Sequence, residues 1–183
     1  MTGDSDPDGP PRAVLIGALA LAVATIGAIL LFAATRQSPS QPAVIPAVPA
    51  PHSASPDCQA LIAALPQRLG HFERAAVAQP APEGTSAWRS GADKEPVIMR
   101  CGLARPDDFV VGSPIQGVDR VQWFEVAAQS AGDAGRSTWY TVDRPVYVAL
   151  TLPAGSGPEP IQELSAVIDR TIAAVPIDPA PAR

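Results

Sequence analysis

The stretch Pro96-Val97-Ile98-Met99-Arg100-Cys101-Gly102-Leu103 decides the fold of this chain. Val97, Met99, Cys101 and Leu103 fall on one side and Ile98, Arg100 and Gly102 on the other, a period of two that predicts a half-buried strand with Cys101 facing the core. A second pattern lies upstream. Ser55 suits an N-cap, Pro56 the first helical position and Asp57 the first turn, and Cys58, Leu61, Ile62 and Leu65 then recur at helical spacing until Pro66. Both cysteines therefore sit on apolar faces, by two independent periodicities. A Cys58–Cys101 disulfide would staple helix to sheet, and closing a loop of that length stabilises by about 3–4 kcal/mol through chain entropy. The competing reading is a pair of buried free thiols, since Cys packs as a small hydrophobe.

Working outward, Pro145 to Leu152 is the most regular strand pattern, with Val146, Val148, Leu150 and Leu152 inward and Tyr147, Ala149 and Thr151 outward. Val118 to Ala128 predicts a strand, Ser130 to Ser137 a long hairpin turn, and Ser137 to Val142 the returning strand. His71 to Gln79 reads as a first strand, Pro80 to Glu95 as a polar loop carrying Trp88, and Arg105 to Gly117 as a loop with a short strand at Phe109 to Val111. Pro158 opens a second helix whose apolar positions Ile161, Leu164, Val167, Ile168, Ile172 and Val175 keep helical spacing until Pro176. The expectation is an α+β domain over 55–176, an antiparallel sheet of four or five strands with two helices packed on one face, preceded by one transmembrane helix.

That transmembrane helix is Ala13 to Ala34, a run of Ala, Val, Leu, Ile, Gly, Phe and one Thr without a charge. It is long enough to cross a hydrocarbon core of roughly 30 Å. It exceeds the apolar region of a cleaved signal peptide, of about 7–15 residues, and no cysteine follows it before Cys58, which excludes a lipoprotein signal. Arg12 and Arg36 flank it almost symmetrically, so the flanking charge leaves the direction open. A disulfide supplies a direction, because disulfides persist outside the cytoplasm. Residues 1–12 are then a disordered cytoplasmic tail, 13–34 a signal-anchor, 35–54 a Pro-rich stiff linker, and 177–183 a second disordered tail.

The residues that carry a resemblance are Cys58, Leu65-Pro66, Trp88, Arg100-Cys101-Gly102, Gly117-Val118-Asp119 with Trp123, and Asp143-Arg144 ahead of an alternating strand. In this combination, over roughly Ser55 to Val175, the chain resembles a family of actinobacterial membrane-anchored proteins with a two-cysteine domain of unknown function. The resemblance implies an envelope protein with no assigned activity and no catalytic residues to carry over. Composition agrees with a GC-rich genome, since Lys94 is the only lysine among 13 basic residues in a chain of 183.

Function classes are narrowed mainly by what the residues can do. A net charge of −5 without a basic stripe disfavours nucleic acid as a partner. His52 and His71 are the only histidines, and no zinc spacing, nucleophile elbow, phosphate loop or dinucleotide fingerprint occurs, so no catalytic residue, metal site or cofactor is assigned. Asp107-Asp108 reads as a solvated loop pair and His71 as a surface residue. The positive hint is aromatic. Arg100, Trp123, Trp139 and Tyr147 are read as a candidate binding face on the sheet, because aromatics with Arg are enriched at recognition hot spots; the alternative places the Trp rings in the core. A non-enzymatic envelope interaction module, tied to the membrane and meeting an envelope protein partner, is the first reading. An envelope hydrolase or transferase with an unrecognised active site is the second.

Overall fold

The computed structural model describes residues 12–35, 41–126 and 135–182, which fall into two units, one containing 12–35 and the other 41–182. The first unit is α1 (Arg12–Thr35), whose window Ala13–Leu30 has a mean hydropathy of 2.6. Its described side chains are exposed all round, and it is long and apolar enough to cross a membrane. The expected tail over 1–12 lies outside the described residues, Arg12 apart.

The second unit is α+β. In chain order it comprises α2 (Pro56–Ala64), β1 (Arg68–Leu69), β2 (Phe72–Ala75), β3 (Thr85–Arg89), β4 (Val97–Leu103), β5 (Gln116–Val118), β6 (Val121–Val126), β7 (Ser137–Thr141), β8 (Tyr147–Leu152) and α3 (Glu159–Thr171). All strands pair antiparallel in one sheet of order β1-β2-β3-β4-β8-β7-β6-β5. Two consecutive meanders, β1–β4 and β5–β8, are thus joined through the β4–β8 pair. The sheet has eight strands where four or five were expected. The extra ones are β1, β3 and β5, of two to five residues each, too short to show a clear alternation in the sequence.

One face of the sheet carries the main core. Met99, Cys101, Val148, Leu150, Trp88 and Trp123 meet Cys58 and Leu61 of α2, Leu65 just past its end, and Leu164, Val167 and Ile168 of α3. The Cys58 and Cys101 sulfurs lie at disulfide distance, with Cα atoms 5.6 Å apart and a sequence separation of 43. Ser55 caps α2 as its hydroxyl accepts from the Cys58 N–H at 3.3 Å. Trp88, expected in a polar loop, is fully buried in β3 and donates its indole N–H to the Pro66 carbonyl at 3.1 Å.

Two segments expected outside the folded domain, the stiff linker and the C-terminal tail, are fastened to it. Ala43 forms a parallel bridge with Val77, donating to the Ala76 carbonyl at 2.7 Å and accepting from Ala78 at 2.9 Å, while Ala43 and Ile45 are buried against Ala75, Ala87 and Ile98. Farther along, the His52 N–H donates to the Gly102 carbonyl at 3.0 Å. Residues 41–54, expected as part of a Pro-rich stiff linker over 35–54, are therefore a strap on the sheet. At the other end, Ala180 bridges Val110, and Arg105 donates to the Asp178 carbonyl at 3.2 Å, so the C-terminal segment is docked as far as it is described.

The strap has a cause in β4. Gly102 interrupts the β4–β8 register and has φ +86, and a Cβ there would lie 2.3 Å from both the His52 carbonyl carbon and the Ser53 nitrogen. Only glycine permits that approach.

Candidate functional site

The sheet face away from α2 and α3 is covered at both ends and less so in its middle. The strap closes the β2–β3 end through Ala43 and Ile45. At the β6–β7 end Phe109, fully buried, packs with its ring centroid 5.1 Å from that of Phe124, alongside Val142. Between these covers the strand register places one row across the sheet: Thr85 beside Arg100, Arg100 beside Ala149, Ala149 beside Tyr140, Tyr140 beside Phe124. The neighbouring row brings Ile98, Thr151 and Thr138 side by side. Arg100, Tyr140, Thr85, Thr138 and Thr151 are all half-buried, whereas Ala149 between Arg100 and Tyr140 is 2% exposed. Ala149 is thus covered, and the two longer polar side chains stand on either side of it; this stretch of the face is termed the notch.

The electrostatics of that notch follow from burial. Loss of water holds the Arg100 guanidinium below its ordinary value, and the nearby Tyr140 hydroxyl partly offsets this. Burial likewise pushes the Tyr140 hydroxyl above its ordinary value, with Arg100 opposing the shift. No carboxylate among the described residues pairs with Arg100, and its Nε is buried without a hydrogen-bond partner. The Thr138 and Thr151 hydroxyls lie 3.1 Å apart and bond each other. Tyr147, on the same face, is raised first by its own burial, with Arg105 opposing and Asp178 adding to the shift.

Of the four residues expected on a binding face, Arg100 and Tyr147 lie on the sheet face away from the helices and the two tryptophans do not. Trp123 is fully buried on the helix side, where its indole N–H donates to the Ser165 hydroxyl at 2.9 Å. Trp139 pairs with inward-facing Leu150 and packs half-buried against the same core, its indole donating to Ser137 at 3.1 Å. The outward aromatics of those two strands are their neighbours, Phe124 and Tyr140. Local pattern could not separate them. In Val121-Gln122-Trp123-Phe124-Glu125-Val126 both alternations are partly apolar, and Trp139-Tyr140 sets aromatics on both faces.

A family described as "Protein of unknown function (DUF3515)" matches residues 19–177. The chain belongs to the DUF3515 family. No curated protein and no solved structure matches it. The DUF3515 match takes in α1 from residue 19 onward and the α+β unit as far as residue 177.

Other charged clusters in this DUF3515 domain are explained by packing. Asp143 and Arg144 are buried at the β7–β8 turn, 2.7 Å apart, and Arg144 also donates to the Arg120 carbonyl at 3.0 Å and to Asp169 at 3.5 Å, tying that turn to the β5–β6 turn and to α3. An open cleft of about 440 Å³ over β2 and β3 is lined by His71, Glu73, Arg74 and Arg89 among others. Arg74 bonds Ser86 at 2.9 Å and lies 5.0 Å above the Trp88 ring, Glu73 pairs with Arg68 at 2.5 Å, and Arg89 donates to the Gln41 carbonyl at 2.7 Å while its Nε is buried without a partner. His71 is exposed against Phe72, and Asp107 and Asp108 are exposed in their loop. Among the described residues no group of three His, Cys, Asp or Glu side chains is placed to hold a metal.

Proposed function

We propose that this chain is a single-pass membrane protein of an actinobacterial cell envelope, with α1 as its anchor and the α+β domain outside the cytoplasm, and that the domain is a non-enzymatic interaction module for an envelope protein. The observation that carries the module reading is the notch itself. A half-buried guanidinium without a counter-ion among the described residues, a phenol and two hydroxyls are set on the sheet between two covered ends. Such a mixture of Arg and aromatic groups with satisfied surroundings is what recognition surfaces use. The extracytoplasmic placement rests on the cysteine pair at disulfide distance, and the anchor on the hydropathy of α1.

Photo-crosslinking in intact cells tests the module. A photoreactive residue at Thr151 or Thr138 is expected to give a reproducible adduct with one envelope protein, and the same group at exposed Gln162 of α3 is not. Adducts that do not depend on position, or none from the strip, would refute it. Thiol alkylation before and after reduction tests the placement: cysteines that react without reductant in denaturant remove its support.

A further inference from the structure

We propose that the notch over Ala149 receives one carboxylate of an acidic partner polypeptide, with Arg100 as its counter-ion and Tyr140 as a hydroxyl donor. This rests on the interaction-module reading and assigns the chemistry of the partner. Three observations carry it. First, the charge is unbalanced: Arg100 has no acid partner among the described residues, and its Nε is both buried and unbonded. A buried guanidinium edge without a partner is costly, and a planar carboxylate satisfies it through two parallel N–H donors.

Second, the arrangement sets a donor beside the charge. Ala149 lies between Arg100 and Tyr140 in the register, so the guanidinium and the phenol are separated by one small side chain. Third, donors surround the notch. In the Thr138–Thr151 pair one hydroxyl gives its hydrogen to the other, and the accepting hydroxyl keeps a hydrogen free to donate. One positive charge with neutral donors balances one negative charge.

The test reads Arg100 directly. The full chain, labelled with nitrogen-15 arginine and held in detergent micelles, is titrated with acetate, acetamide, dimethyl phosphate and a blocked octaglutamate peptide. The Arg100 Nε–H resonance, assigned by its loss in R100K, is expected to shift saturably with acetate and octaglutamate and not with acetamide or dimethyl phosphate. R100Q should weaken octaglutamate binding at least about tenfold and Y140F by about threefold to fivefold, consistent with a charged and a neutral hydrogen bond respectively. R100M serves as a second variant should R100Q unfold, and Trp fluorescence in urea checks both. An Arg100 response no larger than that of exposed Arg68, an equal response to dimethyl phosphate, or unchanged binding by R100Q and R100M would overturn the carboxylate site. The two readings fail separately. A wild-type photo-adduct that persists in R100Q retains the module and removes the carboxylate, whereas acetate binding at Arg100 with no adduct in cells does the reverse.

Discussion

Replacing Gly102 by Ala should release the strap, and the size of the effect can be worked from two glycines. At φ +86 an L-residue costs about 1–2 kcal/mol on conformation alone. The new Cβ would also stand 2.3 Å from the His52 carbonyl carbon and the Ser53 nitrogen, both backbone atoms, so the strap must retreat by roughly an ångström to reach ordinary contact. That motion breaks the 3.0 Å bond from the His52 N–H to the Gly102 carbonyl, worth about 1 kcal/mol. G102A should therefore cost about 2–3 kcal/mol, a large part of the stability of a domain this size. Gly112 supplies the control. Its φ is +90 and a Cβ there meets nothing within 4 Å, so G112A carries the conformational cost without the collision. The assay is urea unfolding of the detergent-solubilised chain followed by Trp fluorescence, since Trp88 and Trp123 are fully buried. Limited proteolysis within residues 46–53 reports strap release on the same samples. If G102A and G112A destabilise equally and the strap is cleaved no faster in G102A, the close approach of strap and strand does not exist.

Four further outcomes follow from the packing. C58S or C101S should lower stability by up to about 4 kcal/mol, the loop-closure entropy for a separation of 43 residues, and thermal unfolding with and without reductant should show the same loss in the wild type. W123A should cost about 3–5 kcal/mol because it empties a fully buried site and removes the indole donor to the Ser165 hydroxyl, while R100Q should fall within about 0.5 kcal/mol of the wild type or above it; chemical denaturation separates the two. R144A should cost about 3–5 kcal/mol by leaving Asp143 buried and unpaired, measured the same way. Tyr140 and Tyr147 are the only tyrosines and both have raised values, so ultraviolet titration of the folded chain should show tyrosinate appearing above the usual range near pH 10. The sign follows: an unfolded chain ionises its tyrosines first, so stability is intact below pH 10 and falls as pH rises towards the folded values, a fall that Y140F should reduce.

The strand Val97–Leu103 and the outward placing of Arg100, Tyr147 and Thr151 were legible because a strict alternation of two in a half-buried strand has one solution. The helix from Pro56 was legible for a similar reason, with Ser55 and Pro56 marking its start. What the sequence withheld were facts about pairing. Trp88 faces the core because β3 lies against β4, with Trp88 opposite Val97, and nothing within Thr85–Arg89 reports that neighbour. Tyr140 joins Arg100 only through the β4–β8–β7 register, across two strands distant in sequence. Residues 41–54 read as a spacer because proline disfavours regular pairing. Their docking depends instead on a hydrogen atom at Gly102 where any other residue would place a carbon.

Cys101 and Gly102 are consecutive, and together they explain how the start of the domain is fastened. The strap lies on the open face at Ala43, reaches Gly102 at His52 and Ser53, and enters α2, whose Cys58 meets Cys101 on the helix face. The chain from 41 to 58 thus passes from one face of the sheet to the other around β4, tied at three places. Because two of the ties use adjacent residues of one strand, they are not independent. Cys58 at disulfide distance from Cys101 holds the start of α2, which shortens the excursion open to His52 and favours its bond to Gly102; loss of the bond at Gly102 leaves Cys58 at the end of a freer segment. Neighbouring interactions that share a strand in this way are expected to couple by more than 0.5 kcal/mol. This also gives the unusual sequence Arg100-Cys101-Gly102 a single physical reading: Arg100 faces the notch, Cys101 secures the helix, and Gly102 admits the strap, so three consecutive residues of one strand serve the candidate recognition face and both covers of the sheet.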